Sequence, residues 1–389
     1  MSFRILTLNN ISVRGLERLP RETYEVASEV GHPHAILVRS ADMHAMEIPD
    51  TVMAVARAGA GTNNIPVERL STRGVPVFNA PGANANAVKE LVIAGMLIAA
   101  RNLCQAWAFV RDLPVGGDGM DRAVEAGKKR FVGFELPGRT LGVVGLGAIG
   151  VEVANAAHLL GMKVLGYDPQ ITVRRAWQLS SGVEQSVSLD DLFARADIIT
   201  VHVPLLESTR GTVNAQRLGL MRRGGVVLNF SRAGVVDDEA VLAALDAGAL
   251  SSYVCDFPTA ANKDHPKVVA LPHLGASTGE AEENCAMMVA DTLRDYLENG
   301  NVRHSVNFPE AMLPRVPGTD RIAIANSNVP NMVGQISTRL AAAGLNIADL
   351  LNKSRGELAY TLIDTDAPVP PAVLADIAGI EGVLAARRL

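Results

Sequence analysis

Three glycines at fixed spacing, Gly145-x-Gly147-x-x-Gly150, follow the apolar run Leu141–Val144 and open a helical pattern that reaches Leu160. Between a strand and a helix each glycine has its own task. Gly145 allows the tight turn and Gly147 lets the backbone approach a pyrophosphate. Gly150 lets the helix pack on the strand, with Ala148 and Ile149 between them. The first helical turn then turns unpaired N–H groups and the positive end of its dipole toward the anion. A second strand, MKVLGY, ends at Asp168, 18 residues after Gly150. A carboxylate there accepts hydrogen bonds from the ribose hydroxyls of an adenine dinucleotide and repels a 2′-phosphate, so the spacing predicts NAD rather than NADP. The bland alternative is a glycine turn and an Asp-Pro turn without a ligand. It does not account for strand, helix, strand and acid standing in register.

The elements that must hold such a site follow from the apolar pattern. Short β-branched or apolar runs (FRILTL, HAILV, TVMAVARAG, GVPVFN) alternate with helical segments. After the Gly- and charge-rich stretch Leu113–Glu135, the runs LGVVG, MKVLGYD, DIITVHVP, GVVLNFS and YVCDF recur as buried strands. This is the pattern of parallel βαβ units, with helices expected at Gly150–Leu160, Leu189–Arg195, Asn214–Met221 and Asp238–Ala247. Three prolines and a glycine crowd PEAMLPRVPGTD, and a smaller α+β module follows, with a helix at Met332–Ala343 and another around Ala372–Ile377. The chain of 389 residues is long enough for more than one core, at 48% hydrophobic and 4% aromatic content. Lys+Arg 36 against Asp+Glu 41 gives a net charge of −5, which argues against nucleic acid or an anionic membrane as partner. Cys104, Cys255 and Cys285 are too few and too scattered for a disulfide framework or a cysteine metal site, so no metal is expected and a reducing compartment is. The longest apolar run, Leu91–Ala100, is short for a membrane span, and the start MSFRILTLNN has no signal-peptide character. A soluble, cytoplasmic protein is the expectation.

With these motifs in place, the chain resembles the D-isomer-specific 2-hydroxyacid dehydrogenases. The carriers, in family order, are ARAGAGTNNIP (56–66), VFNAPGANANAVKEL (77–91), GLGAIG (145–150), NFSRAGVVDDEAV (229–241), PHLGAST (272–278) and SVNFPEAMLP (305–314). The resemblance implies a doubly wound Rossmann nucleotide domain (98–280) inserted into a flavodoxin-like α/β substrate domain (1–97 and 281–310). Lys89–Leu103 and Ala281–Asn299 would be the crossing helices, and the active site would lie between the domains. Oxidising a 2-hydroxy acid needs a base for the hydroxyl proton and a cation for the carboxylate and developing oxyanion. The resemblance places the cation at Arg232 and the base at His273. Taken alone, these residues read as a surface cation and a capped loop histidine. It also implies cofactor contacts at His202, Val203, Pro204, Ser231 and Asp256. The family's glutamate, which orients the histidine, has no counterpart: YVCDFPTAANKDHP offers Ala260 or Ala261 there, so either that role is absent or a shifted carboxylate, Asp256 ahead of Asp264, supplies it.

The resemblance further implies a phosphorylated substrate, 3-phosphoglycerate, oxidised in the first step of L-serine biosynthesis. Arg57 and Arg39 would meet the phosphate, and backbone N–H groups at Ala60 and Gly61 the carboxylate. After a linker at 311–318, residues 319–389 resemble an ACT domain, a ββαββα-type module that pairs with a second copy and senses amino acids. Asn328 and Asn346 match the positions whose amides would hold an L-serine effector. A homodimer or homotetramer follows, and removal of the chain from Thr319 is expected to spare basal activity. Two other readings share much of this pattern: a reductase of glyoxylate, hydroxypyruvate or 2-oxoglutarate, and a non-catalytic NAD-sensing corepressor.

Overall fold

The computed structural model describes residues 2–114 and 119–389, so residues 115–118 of the stretch read as lacking periodicity lie outside the described residues. Within that stretch a helix forms at Gly119–Gly127, followed by a 3-10 turn at Lys128–Phe131. The chain divides into two compact units, 1–84 with 279–389, and 85–278. The helix Ala85–Arg101 therefore belongs to the second unit as a whole. Val88, Val92, Met96 and Ala99 on its buried face pack into the core of that unit's sheet, and Gly95 lets Phe230 close in, since a Cβ there would stand 2.8 Å from the ring.

The first unit begins with β1 (Phe3–Leu8), β2 (Tyr24–Ala27), β3 (Ala35–Val38), β4 (Ala54–Arg57) and β5 (Val77–Phe78). They form an all-parallel sheet in the order β2-β1-β3-β4-β5, the flavodoxin-like order. β3 and the first three residues of β4 are buried throughout, as a strand covered on both faces must be. The long helix Gly279–Asn299 lays Cys285, Ala286, Val289, Ala290, Leu293 and Leu297 against this sheet.

The second unit holds β6 (Thr140–Val144), β7 (Lys163–Tyr167), β8 (Val183–Gln185), β9 (Ile198–Val201), β10 (Gly225–Asn229), β11 (Leu250–Cys255) and β12 (Val268–Ala270). All seven run parallel in the order β12-β11-β10-β9-β6-β7-β8, so their carboxyl ends share one edge. The chain order reverses between β6 and β9, which is where doubly wound sheets bind ligands. Local sequence supports the crossovers. Ser188 caps the helix Leu189–Arg195 by accepting the Asp191 N–H at 3.0 Å, and Asp190 and Asp191 stand in its positive first turn.

The C-terminal part of the first unit is an antiparallel sheet of β13 (Asp320–Ser327), β14 (Ile347–Arg355), β15 (Leu358–Thr365) and β16 (Val383–Arg388), ordered β14-β15-β13-β16. Helices Met332–Ala342 and Pro371–Ala378 make the sequence βαββαβ, which corrects the expected ββαββα order. The difference lies in the two edge strands. β14 is half polar and largely exposed, and β16 alternates only weakly, so pairing along β15 and β13 rather than local pattern makes them strands.

This module is not a detachable tail. Ala323, Ala325, Tyr360 and Leu362 join the same core as Phe78, Tyr296 and Phe308, and the Tyr360 hydroxyl donates to the Gly300 carbonyl at 2.8 Å. Arg321, fully buried, forks onto Asp364 at 2.6 and 2.7 Å and donates to the carbonyls of Leu313 (2.7 Å), Pro314 (2.9 Å) and Asn299 (3.2 Å). Every guanidinium donor is thereby used. Cutting the chain at Thr319 would remove Tyr360 from beside Tyr296 and Phe308, which argues against the expectation of a harmless truncation. Among the described residues no single helix is long and apolar enough to cross a membrane.

Candidate functional site

The carboxyl edge of the seven-stranded sheet collects the residues singled out in the second unit. Gly145 has φ +89°, and a Cβ there would stand 2.8 Å from the His202 carbonyl oxygen. A Cβ on Gly150 would stand 1.9 Å from the Gly145 oxygen, so only glycine lets helix Ala148–Leu159 start this close to β6. Gly147 differs: its added Cβ would meet nothing within 4 Å. It is the residue before the helix, and no side chain caps the first-turn N–H groups at Ala148 and Ile149. Open space beside unpaired donors at a dipole's positive end is what a pyrophosphate requires. Asp168, just past β7, accepts the Leu146 N–H at Oδ2 and the Gln170 N–H at Oδ1, both at 2.9 Å, which fixes the carboxylate beside the glycine turn. These residues fit an adenine dinucleotide.

His202 leaves β9 with Nε2 3.0 Å from the Thr200 hydroxyl and Nδ1 buried without a partner. Burial pulls its pKa from 6.5 down to about 3, so the ring is neutral and suited to contact rather than proton transfer. Val203, half-buried, and Pro204, exposed, continue the same loop.

Arg232, Asp256 and His273 follow the three neighbouring strands β10, β11 and β12. Arg232 is exposed and extended (φ −151°), with one guanidinium nitrogen donating to the Ser231 carbonyl at 2.6 Å. His273 is exposed and held at φ +57°, a left-handed conformation that costs a non-glycine residue roughly 1–2 kcal/mol. Asp256, 1% exposed, explains how that conformation is held. Its Oδ1 accepts the Leu274 N–H at 2.9 Å and its Oδ2 the Gly275 N–H at 2.7 Å. The carboxylate thus grips the backbone immediately after the histidine. The ring itself lies against Phe257, centroids 5.1 Å apart, edge to face. Asp264 is engaged by Lys263 at 2.6 Å, while Ala260 and Ala261 are exposed on a turn organised by buried Asn262. Phe257 and Asn229, which accepts from Ser231 and donates to the Arg232 carbonyl, were not singled out from the sequence. The signal for Asn229 was its place three residues before Arg232 at a strand end.

In the first unit, Arg39 follows β3 and Arg57 ends β4, again at carboxyl ends. The Arg57 Nε donates to the Arg39 carbonyl at 3.0 Å, and its guanidinium lies over the next turn, 2.3 Å from where a Gly59 Cβ would stand. Ala60 and Gly61 continue that turn, which Asn79 steadies by donating to the Ala60 carbonyl at 2.6 Å. The Arg39 guanidinium is drawn instead to Glu282. Asn328 and Asn346 do not meet. Asn328 donates to the Gly356 carbonyl beyond the Ser327↔Leu358 end of the β13–β15 ladder, and Asn346 pairs with Asp366 beyond the Asp320↔Thr365 end.

Comparison with known proteins agrees with this geometry. Residues 93–275 match the model of the D-isomer specific 2-hydroxyacid dehydrogenase NAD binding domain. A D-3-phosphoglycerate dehydrogenase of Haemophilus influenzae is 32% identical over 355 residues, 88% of this chain and 83% of that protein. One of Archaeoglobus fulgidus is 37% identical over 314 residues, 77% of this chain but 56% of that longer protein. The structure of NAD+-bound 3-phosphoglycerate dehydrogenase from Entamoeba histolytica superimposes with a TM-score of 0.59 at 25% identity, covering 79% of this chain and 99% of that one. With a glycine-lined dinucleotide cradle, a parallel sheet that carries it, and a relative matched along most of both chains, this chain belongs to the D-isomer specific 2-hydroxyacid dehydrogenases, and its second unit is their NAD-binding domain.

Proposed function

We propose that the chain oxidises D-3-phosphoglycerate to 3-phosphohydroxypyruvate, the entry to phosphorylated L-serine biosynthesis. Bound NAD supplies the acceptor for the hydride that leaves C2 of the substrate. Arg232 holds the substrate carboxylate and the C2 oxygen, opposing the negative charge that grows there. His273 takes the hydroxyl proton as the C2–O bond becomes a carbonyl, and Asp256 with Phe257 keeps its loop and ring in place. The observation that carries this reading is the placement of Arg232, Asp256 and His273 on three adjacent strand ends, on the same sheet edge as the dinucleotide cradle. The shared names of the relatives supply the substrate class.

Arg57, draped over the Gly59–Gly61 turn, is the cation for the phosphate, and Arg39 is the second, once Glu282 yields it. Arg57→Gln is expected to raise KM for the phosphorylated substrate at least tenfold, the scale of a lost charge-assisted hydrogen bond of roughly 1.5–3 kcal/mol. Turnover of unphosphorylated 2-hydroxy acids should change little. Steady-state kinetics on the two substrate types checks this, and equal losses on both would remove Arg57 from the phosphate site.

The C-terminal sheet is read as an ACT module that binds L-serine. Because Asn328 and Asn346 lie at opposite ends of β13–β15, a site using both amides is completed by a second copy of the chain. The exposed side chains of Leu103, Trp107 and Val110, on a helix with no buried residue, are a further surface for self-association in a dimer or tetramer. Serine titrated into wild type should inhibit and should inhibit Asn346→Ala less; equal inhibition would place the effector elsewhere. A cytoplasmic enzyme suits this reading, since its three cysteines are free thiols.

A further inference from the structure

Asn229 is the last residue of β10 and is fully buried. Its carboxamide also meets the Tyr253 side chain, and its other bonds go to the chain that follows. Oδ1 accepts both the Ser231 N–H and the Ser231 hydroxyl at 3.1 Å, and Nδ2 donates to the Arg232 carbonyl at 3.0 Å. The backbone carbonyl of Asn229 accepts the Asp256 N–H at 3.0 Å, and the Asp256 carboxylate holds the N–H groups of Leu274 and Gly275. One continuous run of hydrogen bonds thus joins the backbone of Arg232 to the backbone that follows His273. Strand pairing sets its length, because Asn229 lies directly opposite Cys255 in the β10–β11 ladder.

We propose that Asn229 is a positioning residue that aims Arg232, the inference resting on the reading of Arg232 as the substrate clamp. The guanidinium of Arg232 is exposed and, among the described residues, tethered only by its bond to the Ser231 carbonyl, so the direction in which it leaves the sheet is set by the backbone turn. Asparagine suits that turn for a chemical reason. A planar carboxamide carries an acceptor and a donor side by side, matching a buried N–H and a part-buried C=O two and three residues ahead. Aspartate would present an oxygen to the Arg232 carbonyl, and alanine would leave the Ser231 N–H and the Arg232 C=O without this partner.

The test is a double-mutant cycle on kcat/KM for the hydroxy acid, using wild type, Asn229→Ala, Arg232→Ala and the double variant. Asn229→Asp, nearly isosteric, is carried in parallel as the variant that keeps the acceptor for Ser231 and loses the donor to Arg232, and it should lower kcat/KM as well, with NADH affinity followed by fluorescence. Asn229→Ala should lower kcat/KM by about 10–100-fold, the scale of a misplaced catalytic group, with NADH affinity held within about twofold. In the Arg232→Ala background the same change should cost nothing further. A loss of the same size in both backgrounds would overturn the inference and make Asn229 a merely structural residue. Near-normal turnover by Arg232→Ala alone would instead overturn the clamp reading on which it rests.

Discussion

Replacing His273 with asparagine is expected to lower kcat by about 10²–10⁴ while NADH still binds, because proton transfer by a positioned side chain is worth that much. The expectation follows from the loop rather than from the residue type. A histidine at φ +57° whose loop is held by two backbone bonds to a buried carboxylate is fixed in place despite the conformational strain. Asparagine tolerates the left-handed region well, so His273→Asn removes the proton acceptor without disturbing the turn. The companion change, Arg232→Ala, should raise KM and lower kcat together, since the cation serves bound substrate and oxyanion alike. Rapid-mixing assays with NADH titrations distinguish the outcomes. Near-normal kcat in His273→Asn would remove the histidine from the chemistry.

The second large effect concerns the core. Arg321 and Asp364 are both fully buried, so Arg321→Met strands a carboxylate and three carbonyls that lose their donor. Breaking a buried pair from one side costs roughly 3–5 kcal/mol, whereas replacing both partners by apolar residues is often close to neutral. Arg321→Met should therefore unfold at clearly lower denaturant, and Arg321→Met with Asp364→Leu should recover much of the loss. Because the pair ties the C-terminal sheet to the linker and to the end of helix Gly279–Asn299, the transition should report the whole first unit, not the module alone. Two separated transitions in the single variant would show that the module unfolds independently.

Much of this was legible in the chain. Five of the seven parallel strands of the second unit, β6, β7, β9, β10 and β11, the glycine turn, and helices such as Leu189–Arg195, with its serine cap, follow from local pattern alone. Elements that owe their existence to partners were not. β8, β12, β14 and β16 are short or polar and become strands by pairing, and β2 lies at a sheet edge. The same holds at the site. The missing glutamate is visible in Ala260 and Ala261, but that Asp256 serves the histidine loop through its backbone depends on β11 and β12 being neighbours, which no spacing announces. Arg321 looked like any strand residue; its pairing with Asp364 comes from antiparallel register.

The most direct measurement is NADH formation at 340 nm with NAD and a panel of D-2-hydroxy acids, D-3-phosphoglycerate and D-glycerate among them, with hydrazine present to trap the 2-oxo product. The account requires D-3-phosphoglycerate to give the highest kcat/KM, D-glycerate to fall at least tenfold below it, and the preference to shrink in Arg57→Gln, as expected if a charge-assisted phosphate contact is lost. Turnover of unphosphorylated acids with none of D-3-phosphoglycerate would contradict it.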